Sequence, residues 1–308
     1  MRIGGKIVTI GLCPCWDTVY RLEGVDWGQH KVISSACSRP AGKALNISRA
    51  LAWMGTKSIA AGLWGREDYE QMLRALGPLR GLIKVKMTAV EDSTRRNITV
   101  VATVNNREMH LRAISRLASK KALRKLEADL QATVNRNPAR SGKDVVPDRI
   151  CVFAGAMPEE QLLGDVVRII SCCRRSGVKI AVDTSGDALR EIVNSGPVRQ
   201  IAGSCRIWLI KPNVEELREL LGGQIRDNAA DLAKAGRKLL GKVEIILISR
   251  GKKGSVVVTK KGTWQGRCAP PLSCPPPRLA SGDVGAGESK KGGGRVVSTV
   301  GCGDYLLA

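Results

Sequence analysis

The 308-residue chain is long enough to bury a large core, as one extended α/β domain or a domain with a small appendage. Its formal net charge is +22, but the cations are dispersed, densest only from Lys120-Lys121 to Lys125, and aromatics at 3% are too rare for stacking platforms; this argues against nucleic acid as a partner and leaves a basic surface with local attraction for anionic substrates. No apolar run is long enough to span a bilayer, Met1-Arg2-Ile3-Gly4 leads into a strand rather than a signal-peptide core, and the ten cysteines are scattered without C-x-x-C pairs or nearby histidines, which together point to a cytoplasmic protein with reduced thiols and no membrane or zinc role.

Taken in order, Lys6 to Ile10 reads as a strand, followed by extended segments around Thr18-Val19-Tyr20 and Lys31-Val32-Ile33. Between Gly42 and Gly55 the spacing of Ala44, Ile47, Leu51 and Met54 is helical, and Gly55 suits a left-handed position past the helix end. Ser58 to Leu63 predicts a strand, Asp68 to Leu76 a helix, and Asn97 to Val104 a strand whose Asn105-Asn106 turn suggests a hairpin into Glu108 to Leu111. Residues 119 to 134 predict an amphipathic helix, followed by a polar loop from Asn135 to Val146. The second half is more regular. Strands are expected at Ile150–Ala154, Val178–Val182, Ile207–Ile210 and Val243–Ile248, alternating with helices at Glu159–Arg175, Ala188–Val193, Val214–Leu221 and Asn228–Leu240. Apolar β-branched runs alternating with helices imply parallel strands covered on both faces, with the early extended segments forming a smaller added sheet.

The segment 269–294 departs from this pattern: Pro270-Pro271, Pro275-Pro276-Pro277 and Gly292-Gly293-Gly294 mark a composition that cannot bury enough apolar area to offset its ordering entropy. It is expected to be a low-complexity insertion, dispensable for folding. After it, Val296-Val297 leads through Ser298-Thr299-Val300-Gly301-Cys302-Gly303-Asp304 into Tyr305-Leu306-Leu307-Ala308, a strand, small-residue turn and helix start. Glycines there let backbone N–H groups approach a phosphate, and Asp304 is placed to take a proton from a hydroxyl. Other stretches offer related chemistry: Pro40-Ala41-Gly42-Lys43-Ala44-Leu45-Asn46 at a helix start, Thr94-Arg95-Arg96-Asn97 before a strand, and, after two strands, Lys211-Pro212-Asn213-Val214-Glu215-Glu216 and Ser249-Arg250-Gly251-Lys252-Lys253-Gly254. Each alone is better read as a capped helix, an exposed basic patch, a proline-initiated helix or a turn.

Their order carries more. Asp17 after the first strand, Gly-Lys-x-x-Asn, Thr-Arg-x-Asn, Phe153-Ala154-Gly155-Ala156-Met157-Pro158, Lys-Pro-Asn-x-x-Glu, Ser-x-Gly-x-x-Gly and Thr-x-Gly-x-Gly-Asp together resemble the ribokinase-like (PfkB) carbohydrate kinase family. The Thr-Arg-x-Asn motif, Val182-Asp183-Thr184-Ser185-Gly186 and Lys-Pro-Asn-x-x-Glu look like its 1-phosphofructokinase and tagatose-6-phosphate kinase branch. The resemblance implies one domain over residues 1–308: a central, mostly parallel sheet with helices on both faces plus a small β lid from segments about 12–38 and 90–112. It implies ATP-dependent phosphorylation of a hexose phosphate with Mg²⁺, and a homodimer through the lid. Asp17, Gly42, Lys43 and Asn46 match sugar-holding positions, and Arg95 and Asn97 match contacts to the phosphate the sugar already carries. Lys211, Asn213, Glu216, Ser249, Gly251 and Gly254 match the nucleotide side, with Asn213 and Glu216 acting on the metal through water. Gly301, Cys302 and Gly303 match the anion hole and Asp304 the catalytic base.

The departures from the family pattern are Cys13 for the usual Asn, Ala41-Gly42 for paired glycines, Ala44 for Gly, Ser298 for an acid and Cys302 for Ala. Only four residues follow Asp304, where the family continues with further helix; a one-turn helix needs tertiary support. The sequence therefore carries two expectations, a sugar-phosphate kinase that is a poor catalyst in this apparently truncated form, and a weak or inactive sugar-phosphate-binding homologue.

Overall fold

The computed structural model describes residues 7–134, 149–195 and 206–267. In chain order these form β1 (Ile7–Gly11), β2 (Cys15–Leu22), β3 (Ser35–Ala41), α1 (Lys43–Trp53), β4 (Ser58–Gly65), α2 (Tyr69–Ala75) and β5 (Ile83–Val90). Then come β6 (Arg96–Ala102), β7 (Arg107–Leu111), α3 (Lys120–Val134), β8 (Ile150–Ala154), α4 (Leu163–Arg175), β9 (Lys179–Asp183) and α5 (Gly186–Asn194). The rest are β10 (Ile207–Ile210), α6 (Val214–Leu221), α7 (Ala229–Arg237), β11 (Val243–Ser249), β12 (Ser255–Thr259) and β13 (Gly262–Gly266). The polar loop at 135–146, the 269–294 insertion and the turn from Ser298 to Asp304 lie outside the described residues.

A nine-stranded sheet runs β13-β12-β11-β10-β9-β8-β1-β4-β5. All pairings from β5 to β11 are parallel, and β12 and β13 close one edge as an antiparallel hairpin. All five residues of β1 are buried, as a parallel strand covered on both faces requires. Its alternate side chains divide the core: Ile7 packs with Val152, Ala181 and the apolar stripe Ala44, Ile47, Leu51 of α1. Val8 and Ile10 join Cys151, Phe153 and the inner faces of α3 to α7. The central helix α1 crosses polar sheet positions without leaving them orphaned, since Ser48 Oγ bonds Thr9 Oγ1 at 2.8 Å and Ser58 Oγ at 3.0 Å.

A second sheet, ordered β3-β2-β6-β7, forms the lid. β2 leaves the core directly after β1, and β6 leaves it after β5, so two crossings of the same hinge supply it. Two expectations need correction here. Lys31-Val32-Ile33 is exposed and not a strand; the partner of β2 is Ser35–Ala41, whose polar sequence gives little intrinsic signal but whose backbone pairs from Cys15↔Ala41 to Arg21↔Ser35. β5 was not expected at all, because Lys84 and Lys86 interrupt its apolar pattern. The helix expected from Glu159 begins as a tight turn at Glu160–Leu162 and becomes α-helical at Leu163, and that expected to Leu240 stops at Arg237. The described cysteines are free, with Cys13, Cys15, Cys151 and Cys173 buried. No helix among the described residues is long and apolar enough to cross a membrane.

Candidate active site

The lid and the amino end of α1 enclose a cavity of about 650 Å³. Its lining gathers all six residues expected on the sugar side, Asp17, Gly42, Lys43, Asn46, Arg95 and Asn97, and Lys211 as well. Period-two alternation on the lid does part of this work: Cys15, Asp17, Val19 and Arg21 of β2 and Asn97, Thr99 and Val101 of β6 all face inward. The strand register sets Asp17 between Arg39 of β3 and Asn97 of β6. Gly42, at φ 116°, turns the chain from β3 into α1, and its carbonyl accepts the Asn46 N–H at 2.9 Å. A side chain at that backbone angle would be strained.

Asp17 is held by its neighbours. The Cys15 thiol donates to its Oδ1 at 3.4 Å, and Asn97 Nδ2 lies 3.2 Å from Cys15 Sγ and 3.5 Å from Asp17 Oδ1. Burial, reinforced by the Asp17 carboxylate, pushes the Cys15 thiol up to about 12, and burial raises Cys13. Both therefore remain neutral thiols at neutral pH, unsuited to nucleophilic work. Arg95 donates to three backbone carbonyls, Cys13 at 3.0 Å, Pro14 at 3.2 Å and Ala113 at 2.6 Å. None of these is a carboxylate, so the guanidinium keeps its full charge at the cavity wall.

Asp183, at the end of β9, stands in the Val182-Asp183-Thr184-Ser185-Gly186 motif but was given no site role by the sequence reading. It is fully buried, with Lys43 Nζ 3.1 Å from Oδ1 and Lys211 Nζ 3.3 Å from Oδ2. The second contact is ionic and lacks hydrogen-bond alignment. One carboxylate thus holds two ammonium groups, one half-exposed and one buried, and leaves a local excess of one positive charge. Lys211, grouped with the nucleotide side in the sequence, lines the sugar-side cavity beside Lys43. The signal existed in the strand-end Val182-Asp183, but its partners lie 140 and 28 residues away in sequence. Arg21, Arg39 and Arg112 also line the cavity and were not anticipated.

The other expected nucleotide-side residues stand outside that lining, at the carboxyl ends of β10 and β11. Asn213 and Ser249 form a parallel bridge, with Ser249 N–H donating to the Pro212 carbonyl at 2.9 Å. Asn213 caps α6 through a reciprocal box: its Oδ1 accepts the Glu216 N–H at 2.9 Å while Glu216 Oε2 accepts the Asn213 N–H at 2.8 Å. Glu216 is half-buried. Among the described residues no three His, Cys, Asp or Glu converge on one point. Gly251 and Gly254 make the turn from β11 into β12 at φ 55° and 85°. Two of its three cations are paired, Arg250 Nε with Asp227 Oδ1 at 2.8 Å and Lys253 Nζ with Oδ2 at 2.6 Å. These two partners hold the Asp227 carboxyl below its ordinary value. Asp304 and the Gly301, Cys302 and Gly303 turn lie outside the described residues.

Known proteins bear on this arrangement. The 1-phosphofructokinase of Haemophilus influenzae is 26% identical over 98% of this chain and 82% of its own length. The ATP-dependent 6-phosphofructokinase isozyme 2 of Escherichia coli is 24% identical over 93% of this chain and 84% of its own. Among solved structures, the phosphofructokinase-2 of Escherichia coli in complex with fructose-6-phosphate superposes with a TM-score of 0.73 at 23% identity, covering 87% of this chain and 81% of that one, which is a likeness of fold. The model of the pfkB family carbohydrate kinases matches residues 5–273. The chain belongs to the pfkB family of carbohydrate kinases, phosphotransferases that take their phosphate from ATP.

Proposed function

We propose that the chain transfers the terminal phosphoryl group of ATP to a hydroxyl of a hexose phosphate, as a kinase of the 1-phosphofructokinase or tagatose-6-phosphate kinase type. The observation that carries this reading is the cavity that collects Asp17, Gly42, Lys43, Asn46, Arg95 and Asn97 on one wall and floor. Arg95, charged and without a carboxylate partner among the described residues, suits the phosphate that the sugar already carries. Lys43, half-exposed beside Asp183, adds a second donor to that anion. Asn97 joins Arg95 at that phosphate, and Asp17 and Asn46 orient the sugar hydroxyls.

The nucleotide takes the neighbouring strand ends, with its phosphates near Lys211, Asn213 and Ser249 and the backbone turn at Gly251 and Gly254. Asn213 and Glu216 would hold a Mg²⁺ ion through water, and the bound ion would supply charge neutralisation at the transferring phosphate. Asp304 accepts the proton of the attacking hydroxyl, and the amides of Gly301, Cys302 and Gly303 hold the transferring charge; this part rests on the terminal motif. Removing such a base typically costs about 10²- to 10⁴-fold in rate. A homodimer through the lid would cover apolar side chains exposed on it, including Trp27 and Val32, which are 92% and 88% exposed.

The test is ADP release with fructose 1-phosphate, fructose 6-phosphate, tagatose 6-phosphate and the free sugars, for the wild type and for Asp304→Asn. Turnover with a phosphorylated hexose, lost in Asp304→Asn, is expected. Sugar-phosphate binding without turnover would favour the inactive binding homologue. Light scattering checks the dimer, and a monomer at working concentration would remove it.

A further inference from the structure

We propose that Asp68 is a positioning residue for the sugar substrate: a buried carboxylate latch that ties the inner ends of both lid strands β2 and β6 to the core, and so fixes Asp17 and Arg95 over the cavity. The proposal deepens the sugar-phosphate reading above and rests on it for its catalytic consequence. Asp68 stands just before α2 and is 8% exposed. Its carboxylate accepts from Trp16 Nε1, from the Thr94 N–H at 3.2 and 3.3 Å and from Thr94 Oγ1 at 3.0 Å. Thr94 Oγ1 in turn accepts the Gly65 N–H at 2.9 Å. Trp16 and Thr94 are themselves 1% and 3% exposed, so the network is closed to water.

Each anchored residue is the immediate neighbour of a cavity residue. Trp16 precedes Asp17 and Thr94 precedes Arg95, and the Trp16 N–H donates to the Arg95 carbonyl at 2.8 Å. The Trp16 ring meets Trp64 edge to face, 6.0 Å between centroids, and carries the Arg96 guanidinium 5.3 Å from its centre. At Gly65 a Cβ would stand 2.6 Å from Asp92 O and Thr94 N and 2.7 Å from Asp68 Oδ1, so the chain closes on the carboxylate as tightly as glycine allows. Among the described residues no cation pairs with Asp68; three donors from two chain segments hold its charge instead. A buried charge satisfied only by hydrogen bonds is a poor source of stability compared with apolar packing, but it specifies geometry, because each donor has one direction. Displacements of about 1 Å in such a support can cost about 10²-fold in rate.

Thr94→Val keeps the side-chain shape and the amide bond and removes the hydroxyl bond; Thr94→Ser keeps the hydroxyl; Asp68→Asn replaces an acceptor oxygen by a donor facing donors. With fructose 1-phosphate and ATP, Thr94→Val and Asp68→Asn are expected to raise KM for the sugar phosphate about tenfold while KM for ATP stays within about twofold, and Thr94→Ser to recover most of the loss. Hydrogen exchange on the unliganded protein provides an arm independent of turnover. Amides at 15–18 and 96–99 should exchange about tenfold faster in Thr94→Val, with those of 150–154 unchanged. If Asp68→Asn does not fold, Thr94→Val carries both readouts. Equal rises in both KM values, or uniform exchange changes across lid and core, would overturn the latch and leave a stabilising contact only. A wild type that neither binds nor turns over any hexose phosphate would overturn the sugar-phosphate reading, while the exchange pattern still decides the latch.

Discussion

The region proposed for the sugar and the region proposed for the nucleotide are built on opposite plans. In the region proposed for the sugar, buried or half-buried side chains, most of them far apart in sequence, fix one another: Asp183 with Lys43 and Lys211, Asp68 with Trp16 and Thr94, Asp17 with Asn97 and its strand neighbour Cys15. In the region proposed for the nucleotide the groups lie near the surface and are set by local chain: a capping box between residues three apart, a two-glycine turn, and two cations paired with Asp227. The difference teaches where substrate discrimination resides. A sugar's hydroxyls demand fixed directional partners, while nucleotide phosphates are met by backbone groups that any well-formed strand end presents.

The largest effect should come from Asp183→Asn. Removing the carboxylate charge leaves Lys43 and Lys211 facing each other without a counter-charge, and breaking a buried pair typically costs about 3 kcal/mol or more. Urea unfolding should show a drop of about this size, with the half-exposed Lys43 softening it. An unchanged midpoint would mean that the triad is not an electrostatic unit. Gly65→Ala should follow, at about 1–3 kcal/mol, because its Cβ has no room beside Asp92 O and Thr94 N. A neutral result would show that the lid hinge yields. Glu216→Gln sharpens the contrast from the other side. The capping box survives, so the thermal midpoint should hold, whereas the apparent affinity for Mg²⁺ with ATP should fall several-fold and sugar-phosphate binding should not move. A loss of sugar binding would erase the distinction between the two sides.

The smallest effect concerns pH. Asp227 has its folded pKa depressed by Lys253 and Arg250, so its contribution is present above the unfolded carboxyl pKa and is lost as pH falls through the folded one. Thermal midpoints taken from pH 5 to pH 3 should decline more steeply in the wild type than in Asp227→Asn. The partial exposure of the pair keeps the difference small, and parallel curves would show that the turn cations pair elsewhere.

The same contrast explains what could be read from the sequence. The core strands β8, β10 and β11 are apolar runs bounded by helices, so composition alone locates them. The nucleotide-side motifs are local, and Asn213 with Glu216 could be placed three apart at a helix start before any coordinates. β3 and β5 were missed because pairing, not propensity, makes Ser35–Ala41 and the lysine-broken Ile83–Val90 into strands. Trp16 and Asp68 are 52 residues apart and Lys43 and Asp183 140; contacts at that range leave no periodic trace in a single chain. Asp17, Lys43, Asn46, Arg95 and Asn97 were found through the order of their motifs, and only the fold brings them to one cavity.

The central claim is that this cavity receives a sugar already bearing a phosphate. Isothermal titration without nucleotide tests it most directly, comparing fructose 1-phosphate and tagatose 6-phosphate with fructose and tagatose. A guanidinium and an ammonium at the wall should make the phosphorylated sugars bind at least about tenfold more tightly, since a charge-assisted bond contributes about 1.5–3 kcal/mol. Free sugars binding as well as, or better than, their phosphates would contradict the account.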